Sequence, residues 1–70
     1  MKAHEVGRIR AFIENTPEGD PRRAEVEAQV IELAERRMDE GGTNVLRFML
    51  GFNRAAGVNL ALSTLVETGA

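Results

Sequence analysis

One stretch constrains this chain more than any other. From Asn44 to Val66 it reads NVLRFMLGFNRAAGVNLALSTLV, and fourteen of the 22 residues from Val45 onward are apolar. That is long enough to cross a bilayer, which takes about 20 residues. It also holds Arg47 and Arg54, and a mid-span arginine costs roughly 2.5–3.5 kcal/mol on insertion scales. Asn44, Asn53 and Asn59 add polar groups, and Gly51 and Gly57 weaken the backbone. The stretch therefore reads as helix belonging to a protein core, with no membrane partner.

Stepping 100° per residue from Val45 sorts its first half. Val45, Phe48, Met49, Phe52, Ala55 and Ala56 fall on one arc, extended by Leu46 and Leu50. Asn44, Arg47, Gly51 and Arg54 fall opposite. The result is an amphipathic helix with a broad apolar side, wide enough for more than one neighbour. Past Gly57 the phase changes: Val58, Leu62 and Leu65 form a stripe pointing the other way. Glycine within a helix costs about 1 kcal/mol relative to alanine, so a break at Gly57 is expected. Val58 to Leu62 alternates like a strand of a hairpin, but Leu46 to Leu50, the other arm, does not.

Helical patterns fill the remainder. Val6, Ile9 and Ile13 stripe a first helix that Asn15-Thr16-Pro17 ends, since Pro17 disfavours α conformation at Thr16. Thr16 to Gly19 has the residues of a type I turn. Asp20 is an N-cap and Pro21 suits the first helical position. Val26, Val30, Ile31, Leu33, Ala34 and Met38 make the second helix's apolar side, with Ala24 and Ala28 allowing close approach. Arg23–Glu27, Glu32–Arg36 and Arg36–Glu40 are i, i+4 pairs. Gly41 reads as a C-cap, Gly41-Gly42-Thr43 as the connection, and Thr43 as the next N-cap. The expected fold is all-α: one domain over residues 1–70, a small bundle of three to four helices at about 2–14, 21–40, 44–56 and 58–67.

Seventy residues are few for a stable core. Burying about 60% of the unfolded surface hides roughly 4,000 Å² of apolar area, or about 100 kcal/mol at 25 cal/mol/Å². Ordering the chain at about 1.5 kcal/mol per residue costs nearly the same. There is no cysteine to form a disulfide, and one histidine cannot supply an ordinary zinc site. Self-association is the remaining support, so a homo-oligomer, a dimer first, is expected. The interface residues predicted from the apolar stretch are Phe48, Phe52, Leu62 and Leu65. Asn53, a polar residue within that arc, is the candidate for fixing register or copy number.

Nine basic and eleven acidic residues give a net charge of −2, with seven and ten of them in residues 1–40. A charged N-terminus without an apolar h-region predicts a cytoplasmic protein. Eight arginines against one lysine fit a GC-rich bacterial or phage genome.

Chemistry-bearing patterns are sparse. His4 stands near a terminus; Glu25, Glu32 and Asp39 read as a surface charge array; Gly41-Gly42 lacks the GK[ST] of a phosphate loop. Neither an enzyme, a metal site nor a cofactor is expected. The most specific pattern is Asn44, Arg47, Gly51 and Arg54, spaced i, i+3, i+7, i+10. On one helix face, two guanidiniums flanking a glycine would cradle a carboxylate, a phosphate or an acidic partner helix. The function expected is an interaction module, a regulator, adaptor or inhibitor that occupies the surface of an unidentified protein. The alternatives are an anion or nucleotide sensor using the arginine stripe, and a helix-turn-helix nucleic-acid binder. Nucleic acid is disfavoured by the negative charge and the lack of a basic cluster.

Overall fold

Side-chain caps, more than glycines, set where three of these helices begin. The computed structural model describes residues 1–67. It contains α1 (Ala3–Asn15), α2 (Pro21–Arg37), α3 (Glu40–Phe52) and α4 (Arg54–Leu65). The all-α small bundle expected from the sequence is what forms; four of its boundaries, from the end of α2 to the start of α4, lie three or four residues earlier.

Between α1 and α2 the turn is one residue later than predicted. The Asp20 amide donates to the Pro17 carbonyl at 3.1 Å, and Gly19, third in that turn, has φ of 90°. Only glycine adopts that conformation readily. Asp20 then caps α2 as expected, accepting from the Arg22 amide at 2.9 Å. The Arg22 guanidinium also grips this carboxylate, and these bonds hold Asp20 below the usual carboxylate range.

Further along, α2 stops at Arg37, before Gly41, because Asp39 captures the next helix. Its carboxylate accepts from the Gly42 amide at 2.7 Å, with Glu40 in the first turn where the helix dipole favours an anion. Gly41 and Gly42 thus lie inside the first turn of α3, and Thr43 is not its cap. Of the three predicted i, i+4 pairs, Arg23–Glu27 and Glu32–Arg36 form, while Glu40 has left for α3.

The break after α3 falls at Asn53, four residues ahead of Gly57. This single extended residue, φ −153° and ψ 109°, is all that separates α3 from α4. Its amide closes the last turn of α3 on the Met49 carbonyl at 2.8 Å, and its side chain accepts from the Ala56 amide at 3.2 Å. Asn53 is therefore the cap of α4 and takes no part in an apolar seam. Gly57 remains helical because α3 crosses it: a Cβ there would lie 2.5 Å from Leu50 Cδ2 and 2.9 Å from Leu50 Cα.

Every other helix packs on α4. Val58, Ala61, Leu62 and Leu65 meet Val6 and Ile13 of α1, Val30 and Ala34 of α2, and Leu46 of α3 in one core. A helix with neighbours on three sides is apolar nearly all round, which accounts for the phase change in the sequence. At its C-terminal end the Leu65 carbonyl accepts from the Met1 amino nitrogen at 3.0 Å and from Arg37 Nη1 at 3.2 Å. The whole is a slab of 30 × 30 × 15 Å. In so thin a body α3 packs chiefly on α4, and its far side is left uncovered. No helix of the described residues is long and apolar enough to cross a membrane.

Candidate interaction surface

The two sets of residues marked out by the sequence meet different fates. Arg47 and Arg54 no longer share a helix, because Asn53 separates them. Each is engaged by a glutamate of α2. Arg47 donates to Glu35 Oε2 from Nε and Nη2, at 3.3 and 3.1 Å. Arg54 Nε donates to Glu27 Oε1 at 3.2 Å, while Arg23 Nε reaches Glu27 Oε2 at 3.5 Å. Arg23 also donates to the Thr16 carbonyl at 2.8 Å, so one chain of polar contacts runs from the α1–α2 turn to the start of α4. The stripe Asn44, Arg47, Gly51, Arg54 is thus not an anion cradle on one face. Its cations clamp α3 and α4 to α2, and Asn44 and Gly51 stand exposed beside them.

Glu27 is the centre of that clamp, and it is 7% exposed. Beside it lies a cleft of about 370 Å³ whose rim carries Glu18, Asp20, Arg23 and Arg54. With Glu27 counted, three acidic groups face two basic ones there, so the cleft does not favour an anion. Replacing Glu27 with glutamine removes the one charge that serves two guanidiniums. Arg54 is half exposed and recovers water, so the expected loss is about 1.5 kcal/mol rather than the full cost of breaking a buried pair. Urea denaturation of Glu27→Gln measures it; an unchanged midpoint would mean the clamp adds nothing.

The predicted interface residues also divide. Leu62 and Leu65 are 2% and 1% exposed, so they belong to the chain's own core and cannot meet another copy. Phe48 and Phe52 point away from it, 75% and 86% exposed, joined by Val45 at 55%. Leu46, on the inner side of the same helix, is fully buried. The broad apolar arc seen in the sequence is therefore two surfaces: Leu46 and Leu50 rest on α4, and Val45, Phe48 and Phe52 face outward with Gly41 in line. No charged side chain stands on this outer stripe, since Glu40 is at the helix end and Arg47 is folded onto Glu35.

Sequence reasoning missed Glu27 and Glu35 as the partners of the arginines, because the pairs span 27 and 12 residues. It also missed Asn53 as a cap, although asparagine is among the strongest N-cap residues.

Fold and site together define a class: a four-helix all-α domain, centred on its last helix, with one uncharged aromatic helix face left open. Comparison with protein families, with curated proteins and with solved structures finds no match.

Proposed function

We propose that this protein is a small helical interaction module, a regulator, adaptor or inhibitor that acts by contact and not by catalysis, and that its contact element is the outer face of α3. The observation that carries this reading is the pair Phe48 and Phe52, exposed side by side with Val45 on a stripe without charge. Single exposed apolar residues are ordinary, but contiguous ones mark interaction sites. Protein contacts are enriched in aromatic residues and depleted in charge at their centres. An anion sensor would have to break the Arg47–Glu35 and Arg54–Glu27 pairs before using either arginine. A helix-turn-helix reader would present Phe48 and Phe52, not basic groups, to the groove.

The test is a photoreactive benzoylphenylalanine placed at Val45 in the source cell, with Gln29 on the exposed side of α2 as the comparison site. Illumination is expected to give cross-linked product from position 45 and little from position 29. No product at 45, or equal yields at both, would refute the assignment of this face.

A further inference from the structure

We propose that the outer face of α3 is closed by a second copy of this chain, the two α3 helices lying antiparallel about a two-fold axis. The inference rests on reading that face as a contact surface, and it names what covers it.

The stripe has a gradient of size along it. Gly41 and Val45 stand at its N-terminal end, Phe48 and Phe52 at its C-terminal end, at steps of i, i+4, i+7 and i+11. Such positions form a single row on a helix. A two-fold axis makes the same patch meet itself, so that residue i touches j and j touches i. Antiparallel pairing then sets Phe52 against the partner's Gly41 and Phe48 against the partner's Val45. Each large side chain meets a small one, twice over. Parallel pairing would oppose phenylalanine to phenylalanine and leave a void at the glycines.

Two further observations favour a copy of this chain over another occupant. The first is charge: the chain carries a net −2, yet the stripe itself has none, so two copies meet there without opposing like charges. The second is Gly41. A Cβ on it would touch only Asp39 Oδ1, at 3.6 Å, and Gly51 on the flank would meet nothing within 4 Å. Nothing within one chain requires a glycine at Gly41; a phenylalanine arriving from outside does. Area points the same way: Phe48 and Phe52 each offer on the order of 150 Å², so the four phenylalanines of two copies bring about 600 Å², and Val45 with the flanking residues carries the patch toward the ~1,000 Å² of specific interfaces.

Sedimentation equilibrium of the full chain at micromolar concentration is the test. The expected mass is twice the 7.7 kDa of one chain. Phe48→Asp with Phe52→Asp is expected to return it to one chain with an unchanged helical circular dichroism spectrum. Gly41→Leu fills the space that the partner's Phe52 would occupy. It is expected to weaken dimerisation at least tenfold without lowering the melting temperature of the single chain, and Phe52→Ala in the same chain is expected to restore pairing. A wild-type chain that stays single at 100-fold higher concentration would overturn the self-pairing, while a heavier cross-linked product from Val45 would still uphold the contact face. A dimer that survives Phe48→Asp with Phe52→Asp would overturn self-pairing through this face. A dimer lost in that variant but indifferent to Gly41→Leu would overturn the antiparallel register.

Discussion

Leu46→Ala is expected to destabilise the fold by about 3 kcal/mol, the range of a fully buried leucine truncated to alanine. Leu46 is 0% exposed and is the one buried side chain through which α3 joins the core. A chain of this length has a total stability of only about 3.5–10 kcal/mol, so the variant should be largely unfolded at modest urea concentration. Two residues along the same helix, Phe48→Ala should change the stability of the single chain by no more than about 0.5 kcal/mol, because a 75% exposed side chain loses little burial. The larger residue thus has the smaller effect. Urea titrations at protein concentrations low enough to keep chains apart compare the two directly. If Phe48→Ala were the more damaging substitution, α3 would be rotated from the orientation described above.

Gly57→Ala is expected to lower stability by about 2 kcal/mol, although alanine in place of glycine normally favours a helix by about 1 kcal/mol. The new methyl would sit 2.6 Å from Leu50 Cγ and 2.9 Å from Leu50 Cα. The side chain can rotate aside; the Cα cannot move without lifting α3 from α4. Overpacking of this kind costs about 1–3 kcal/mol. Gly7→Ala is the control, since a Cβ on Gly7 meets nothing within 4 Å, and it should stabilise α1 slightly. Thermal melts of the two variants should therefore shift in opposite directions. Equal shifts would remove the close crossing of α3 and α4.

These experiments bear on one consequence of the fold. The sequence suggests that a lone copy hides too little apolar surface and must be covered through its whole C-terminal half. In the structure only part of that half is left uncovered. Leu62 and Leu65 are covered within the chain by the other helices packed on α4, whereas Phe48 and Phe52 are not. Whatever occupies that face, it need not complete the core.

Local signals in the sequence determined the existence of the helices, the Asp20 cap and the proline that start α2, and the apolar stripe Val58, Leu62, Leu65, though not that the chain's own helices would cover it. Each depends on neighbours within a turn or two, where residue spacing and capping chemistry act directly. The tertiary structure alone decided the rest. Gly57 looked like a break because isolated glycine weakens a helix, yet it is retained where Leu50 crosses at contact distance, and the break moved to Asn53, whose side chain can cap. Arg47 and Arg54 looked like one cationic face until that break separated them and α2 brought up Glu35 and Glu27. Which half of the α3 apolar arc faced inward was likewise unreadable, because periodicity gives the width of an apolar arc but not which neighbour will cover it. That depends on residues far away in the chain, and only packing against α4 settled it.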